Sequence, residues 1–277
     1  MRPSEAVRRG ADYLERHDVD ASLSTAEQLL AGVLGTDRSG VYAREEPLRN
    51  AEARSYGRAL CRRCTGVPTQ HLTGETGFRH LVLTVRPGVF VPRPETEIVV
   101  DAAVEALPVT PGPLVVDVGT GAGAIALSLK RERPDARVIA VDRSPEALAL
   151  TEENAARTGL EIEVRASDLL TALDPSSTVP IDLVVSNPPY VEEGEYAALP
   201  AEVRADPVEA LVGGVEVYAT LFEQASTRLR EGGVVVVEIG ERQAAAVGEK
   251  AREAGAADVV VLPDLAGRDR VIVATWP

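Results

Sequence analysis

Apolar residues recur along this chain at two periods, and the period changes near residue 75. Before that point the spacing is helical. Val7, Ala11 and Leu14 fall on one helical face. Ser24 and Glu27 form a capping-box pattern ahead of Leu29, Leu30, Val33 and Leu34. A third helix is predicted to open near Pro47, a residue suited to a first helical turn, and to run past Leu60 until Gly66 and Pro68 end it. Together these predict a small helical bundle domain over residues 1–70. Between 78 and 91 the period shortens to two. Phe78, Leu81, Leu83 and Val85 predict a strand, Pro87-Gly88 a turn, and Val89-Phe90-Val91 a returning strand. This is read as a β-hairpin linker, residues 71–94. Pro92-Arg93-Pro94-Glu95-Thr96-Glu97 then leads into a helix reaching about Leu107.

From Leu114 short apolar runs alternate with amphipathic ones. Strands are predicted at 114–118, 137–141, 161–165, 181–186, 234–239, 258–262 and 270–275. Helices are predicted from the loop after 118 to about Arg133, from Pro145 to Arg157, near 216–230 and at 241–254. Strands buried on both faces and separated by helices specify an α/β, doubly wound, largely parallel sheet. Residues 95–277 are expected to form this catalytic domain.

Charge changes the picture unevenly. Of 29 basic and 43 acidic side chains, residues 1–80 carry 12 and 11, a net of +1; residues 81–277 carry 17 and 32, a net of −15. An acidic body of that size repels phosphate backbones, so stable nucleic-acid binding is not expected. Two cysteines exclude a disulfide-stapled scaffold and suit a reducing, cytoplasmic compartment. No apolar run approaches the roughly 20 residues of a membrane helix, and residues 1–10 lack the apolar stretch of a secretory signal. Neither membrane association nor a stable oligomer is expected.

Asp117-Val118-Gly119-Thr120-Gly121-Ala122-Gly123 joins a predicted strand to a predicted helix. Glycines let the backbone turn sharply and let a ligand approach it closely. The helix N-terminus that follows offers donors to a carboxylate. Asp142, at the end of the next strand, is suited to accept two ribose hydroxyls. Taken alone, Gly119-x-Gly121-x-x-Ala124 also fits the dinucleotide fingerprint of a dehydrogenase. Asp117 shifts the balance: an acid two positions before the first glycine suits the amino group of a methionine moiety better than a pyrophosphate. Asp168, after the third strand, is a candidate partner for an adenine amino group, with Leu169 packing on the ring.

Asn187-Pro188-Pro189-Tyr190 follows the apolar run 181–186 and so lies at the carboxyl end of a strand, where open α/β sheets bind ligands. Two prolines stiffen the turn and free its carbonyls from ladder duty. A planar amide or aryl amine is a poor nucleophile. The Asn187 side-chain oxygen and the Pro188 carbonyl can each accept one of its N–H groups, orient it toward a sulfonium methyl group and stabilise the charge developing on nitrogen. Tyr190 offers a flat face to a planar substrate group.

With these residues in place, the chain resembles the HemK-type N5-glutamine methyltransferases of peptide-chain release factors. The resemblance rests on Leu72-Thr73-Gly74-Glu75 with Phe78, on residues 87–97, on 117–126, on 187–190, on Glu238-Ile239-Gly240 with Gln243, and on Ala266-Gly267-Arg268-Asp269-Arg270. It implies a class I methyltransferase fold, Rossmann-like with a mostly parallel seven-stranded sheet, and S-adenosyl-L-methionine (AdoMet) as methyl donor. It implies as acceptor the glutamine of the Gly-Gly-Gln motif in class I release factors. Carried over by position, Asp117, Gly119, Thr120, Gly121, Ala122, Gly123, Asp142, Asp168, Leu169 and Asn187 would bind the donor. Asn187, Pro188, Pro189 and Tyr190 would hold the glutamine, Phe90 and Arg93 would lie on a lid, and the helical domain would help dock the release factor. The chain departs from the family pattern at Leu169, where tryptophan is common, at Asp206-Pro207 in place of Glu-Pro, and in a shortened segment after Gly213-Gly214.

Three other readings compete. They are an amino-methyltransferase acting on a nucleic-acid base, a nicotinamide-dependent dehydrogenase, and a binding module with a vestigial cofactor site. The acidic body disfavours the first, Asn187-Pro188-Pro189-Tyr190 is unexplained by the second, and the intact Asp117, Asp142 and Asn187 disfavour the third. Cys61-x-x-Cys64, with His71 and His80 beyond it, has helical rather than zinc-ligand spacing. His17 reads as an exposed helix-end residue, Glu192-Glu193-x-Glu195 as a solvated loop or else a contact to a basic release-factor surface, and Glu238, at a strand end on the same sheet edge, as a supporting acid of the site or a plain loop anchor.

Overall fold

The computed structural model describes residues 1–174 and 179–277. Two compact units emerge, one made of residues 1–75 with 199–205, the other of residues 76–198 with 206–277.

The first unit is helical: α1 (Pro3–Glu15), α2 (Ser22–Leu34), α3 (Arg38–Ala43), α4 (Asn50–Cys64) and α5 (Thr69–Thr73). Its core contains Val7, Leu14, Leu29, Leu30, Val41, Tyr56 and Leu60. Ser24 does not cap α2. That helix begins two residues earlier, after Ala21, so the Ser24–Glu27 pattern lies inside the first turns. Glu27 is buried there and accepts a hydrogen bond from Tyr42 at 2.6 Å and an ion pair from Arg38 at 2.9 Å. One arm of such a cap occurs at α4 instead, where the Glu52 carboxylate accepts the Arg49 backbone N–H at 2.7 Å. The segment 199–205 is held to this unit by Arg63, whose guanidinium pairs with Glu202 at 2.5 Å.

β1 (Glu75–Phe78), which enters the second unit at Thr76, and β2 (Leu81–Thr84) form a two-stranded sheet. The hairpin therefore turns at Arg79 and His80, earlier than the sequence pattern predicts, and residues 89–91 are not a strand. Arg79 takes the left-handed conformation itself (φ 49°). It is held there because its backbone N–H donates to Glu97 and its guanidinium pairs with Glu132 and Asp101. Val89 and Val91 are buried for another reason. Val89 packs with Ala122, Ala147 and Leu150, while the Val91 N–H donates to the buried Asp206 carboxylate.

Then follow α6 (Glu97–Ala106), β3 (Leu114–Val118), α7 (Ala124–Glu132), β4 (Arg137–Asp142), α8 (Pro145–Thr158), β5 (Glu163–Ala166), β6 (Ile181–Ser186), α9 (Glu216–Ser226), β7 (Leu229–Glu238), α10 (Ala244–Glu253), β8 (Asp258–Pro263) and β9 (Asp269–Thr275). The seven strands lie in the order β5-β4-β3-β6-β7-β9-β8. β3 pairs in parallel with β4 and β6, and β9 runs antiparallel to both its neighbours. Side chains alternate between two apolar layers. Val115, Val138, Ala140 and Val236 face the layer containing α6 and α7. Val116, Ile139, Val141 and Val235 face the layer containing α9 and α10. The chain winds outward from β3 in one direction and onward from β6 in the other. The carboxyl ends of β3 and β6 therefore flank the switch point, where such sheets place ligands. No described helix is long and apolar enough to cross a membrane.

Candidate active site at the switch point

The loop 119–123 leaves β3 with Gly119, Gly121 and Gly123 all at positive φ. At Gly119 and Gly121 an added Cβ would meet nothing within 4 Å, so the backbone there is open to close approach by a ligand. The loop is held from beneath. Gly119 and Thr120 donate to the Val141 carbonyl at 2.9 and 3.0 Å, Gly121 donates to Asp142 at 3.0 Å, and Gly123 donates to Thr120 at 2.8 Å. The N–H of Ala122 donates to no described residue. Loop carbonyls are anchored by α8: Thr151 donates to Gly121 O at 3.0 Å and Asn154 to Ala122 O at 2.9 Å. Asn154, fully buried, also pairs with the backbone N–H and carbonyl of Thr84, tying β2 to the loop. Neither Thr151 nor Asn154 stands out in the sequence, because both lie on an otherwise ordinary amphipathic helix.

Asp117 is fully buried at the C-terminal half of β3. Its Oδ2 accepts Thr120 Oγ1 at 2.7 Å and the Ala126 N–H at 3.1 Å, which shapes the loop. Its Oδ1 has no partner. Burial, with a smaller push from Asp142, lifts the carboxyl to about 7. Asp142 ends β4 with its carboxylate fixed by the N–H groups of Gly121 and Ser144, and each oxygen keeps lone pairs for further donors. Asp168 is exposed beyond β5 and lines an open cleft with Arg143, Ala166, Ser167, Thr171 and Ala172. Leu169 beside it is half-buried and held at φ 50°, an uncommon conformation for a leucine.

Asn187 follows β6. Its Nδ2 donates to Thr96 Oγ1 at 3.0 Å, while neither its Oδ1 nor the Pro188 carbonyl accepts a hydrogen bond from any described residue. Pro189 is approached closely by the chain at Gly213, where a Cβ would lie 2.3 Å from the Pro189 carbonyl oxygen, so only glycine fits. The Val191–Val212 bridge continues this contact. Tyr190 is fixed more firmly than a free stacking platform would be. Its hydroxyl donates to Glu238 at 3.3 Å, its carbonyl accepts from Gln243 at 2.9 Å, and its ring packs against the α9–α10 layer. Arg93 pairs with the buried Asp206 and lies 5.2 Å over the Phe90 ring, so Phe90, Arg93 and Asp206 form one cluster. Glu192 and Glu193 are exposed, and Glu195 pairs with Arg242 at 3.1 Å.

Glu238, at the end of β7, is the residue whose importance the sequence understates. It is 2% exposed, accepts from Thr96 at 2.6 Å and from Tyr190, and has no ion pair among the described residues. Cys61 and Cys64 both lie on α4, with Cys61 Sγ 3.7 Å from the Tyr13 hydroxyl. His17 is exposed just past α1.

Comparisons with known proteins agree with this arrangement. Residues 80–247 match the family model described as Methyltransferase small domain, and residues 5–74 match PrmC N-terminal domain. The release factor glutamine methyltransferase of Moorella thermoacetica is 42% identical over 98% of this chain and 95% of its own length. That of Escherichia coli is 37% identical over 91% of each. The chain belongs to the release factor glutamine methyltransferases. Its fold is that of class I methyltransferases and its methyl donor is AdoMet. Among solved structures, a methyltransferase from Pyrococcus furiosus superposes with a TM-score of 0.52 at 19% identity, covering 71% of this chain and 89% of that one. A 16S rRNA N2 G1207 methyltransferase from T. thermophilus superposes at 0.55 and 22%, covering 73% and 50%. The residues present fit AdoMet. The orphaned, buried Asp117 Oδ1 suits an ammonium, and the open backbone at Gly119 and Gly121 suits a ligand lying flat against it.

Proposed function

We propose that this protein methylates the side-chain amide nitrogen of the glutamine in the Gly-Gly-Gln motif of a class I peptide-chain release factor. The observation that carries the reading is the pair of unengaged acceptors, Asn187 Oδ1 and the Pro188 carbonyl, on a turn stiffened by two prolines beside the glycine loop. AdoMet, when bound, supplies an electrophilic methyl group on a sulfonium.

Asp117, Asp142 and the loop 119–123 bind the donor, with Asp168 and Leu169 at its adenine end. Asn187 and Pro188 each accept one N–H of the glutamine amide. That orientation presents the nitrogen to the methyl group and restrains it from turning away. As the N–C bond forms and the methyl–sulfur bond breaks to leave the neutral thioether S-adenosyl-L-homocysteine, positive charge passes to nitrogen, where the two acceptors would stabilise it. The N–H proton becomes acidic at that point and leaves to water, so no strong general base is required. Tyr190 and Pro189 shape the turn, and Phe90 with Arg93 covers the acceptor side.

The helical unit contributes to docking the release factor. Residues 1–80 are near neutral, whereas the rest of the chain is strongly acidic, which suits a protein partner better than a nucleic acid. Two free cysteines suit the cytoplasm. The test is to supply the protein with methyl-labelled AdoMet and, separately, a release factor, ribosomal RNA and DNA. Label entering the release factor alone is expected. Label entering either nucleic acid, in a salt-sensitive manner, would replace this reading with a base-directed one.

A further inference from the structure

We propose that Thr96 and Glu238 form a positioning relay that sets the Asn187 amide with its nitrogen toward Thr96 and its oxygen free for the acceptor. The inference rests on the reading of Asn187 given above.

The chain of bonds runs from Glu238 Oε2, which accepts the Thr96 hydroxyl at 2.6 Å, to Thr96 Oγ1, which accepts Asn187 Nδ2 at 3.0 Å. With Glu238 ionised its carboxylate can only accept, so the threonine donates its one proton to Glu238, the direction in which the bond is found. Its oxygen can then only accept, and the single group on Asn187 able to donate is the NH2. The amide oxygen must therefore turn the other way. The same polarity strengthens the asparagine as an acceptor, because each bond in a chain polarises the next.

Three features indicate that this relay is kept for function. Thr96 is buried immediately before α6 in a helical backbone conformation (φ −67°, ψ −15°), and its hydroxyl is spent on Glu238 rather than on its own helix. Glu238 is a buried carboxylate with no ion pair among the described residues, a costly arrangement that packing alone would not favour. Tyr190 and Tyr218 also bond Glu238, through its carboxylate and its backbone carbonyl respectively, so β7, α9 and the turn after β6 all converge on it.

The groups facing the Glu238 carboxylate are Thr96 and Glu95 ahead of α6, Tyr190, and Arg270 on β9. Burial raises its pKa; Thr96, Arg270 and Tyr190 oppose the rise, and Glu95 adds to it. Protonated Glu238 can donate to Thr96, which then donates to the asparagine oxygen, and the amide turns around.

The test uses the full-length enzyme with an intact release factor. Thr96→Val keeps the shape and removes the hydroxyl. It is expected to lower kcat about tenfold or more, with KM for the release factor and the AdoMet dissociation constant changed by no more than about twofold. Thr96→Ser should recover most of the lost rate. Glu238→Gln, which can donate as well as accept, should lower kcat similarly and remove the acid limb that Glu238 gives to the pH–rate profile. Asn187→Ala is assayed alongside. Wild-type kcat in Thr96→Val with an inactive Asn187→Ala overturns the relay and leaves the asparagine's role standing. So does Thr96→Ser performing no better than the valine variant. Turnover undiminished in Asn187→Ala overturns the reading of the asparagine, and the relay with it.

Discussion

At the scale of single residues, the site works by leaving specific atoms unsatisfied. Asn187 Oδ1 and the Pro188 carbonyl are acceptors without donors, and Asp117 Oδ1 is a buried acceptor without a partner. In the proposed function each meets a complementary group of the reactants: the first two the glutamine amide N–H groups, the third an ammonium. Asn187→Ala should lower turnover by about a hundredfold or more, because it removes an acceptor needed most as charge develops on nitrogen, while leaving the AdoMet dissociation constant within about threefold. Single-turnover kinetics with calorimetry separates the two, and an equal loss of both would contradict the role. Asp117 makes a pH prediction. Its carboxyl, raised to about 7 in the free protein, must ionise to meet an ammonium. AdoMet should therefore bind more tightly as pH rises from 5.5 to 7, by about tenfold by linkage, a range in which an α-amino group keeps its proton. In Asp117→Asn the dependence should vanish. A flat profile in the wild-type protein would remove Asp117 from the ammonium site. The same raised value means that Asp117 lowers fold stability as pH climbs from about 4 toward 7, since the unfolded chain gives up this proton first.

At the scale of elements, what the sequence reveals divides along a physical line. The short, nearly continuous apolar runs of β3, β4 and β6 are dictated by burial on both faces of one sheet. The strands at 114–118 and 181–186 consequently end where the pattern predicts, and the motifs at their carboxyl ends fall into place. The hairpin near residue 80 was legible as a period change but not in register. Pro87-Gly88 carries a stronger turn signal than Arg79-His80, and nothing local shows that Arg79 is held at positive φ by Glu97, Asp101 and Glu132. Thr96 was invisible as a site residue for the same reason, since its acceptor lies 142 positions away. Asn154 is another residue of this kind. One side chain on α8 satisfies both backbone groups of Thr84 and the Ala122 carbonyl. Asn154→Ala leaves one buried and two part-buried backbone groups unpaired and should destabilise the protein by about 2 kcal/mol in denaturant unfolding. AdoMet binding should weaken with it, because the loop loses an anchor. A loss below about 0.5 kcal/mol would mean that water replaces the amide and that the link from β2 to the loop is dispensable.

At the scale of the whole molecule, charge and site chemistry lead to the same partner. An acidic sheet domain carrying a turn suited to a planar amide, together with a near-neutral helical unit, favours a protein acceptor over a phosphate backbone. The class I fold by itself decides nothing about the acceptor, because the same fold carries many methyl-transfer reactions. The decision rests on Asn187 and Pro188 and on membership of the release factor glutamine methyltransferases. The most direct measurement is residue-level mass mapping of a full-length class I release factor after incubation with this protein and AdoMet. A single added methyl on the glutamine of Gly-Gly-Gln, absent when that glutamine is replaced by alanine, is the expected result. A release factor left unmodified at that glutamine, although AdoMet binds, would contradict the account.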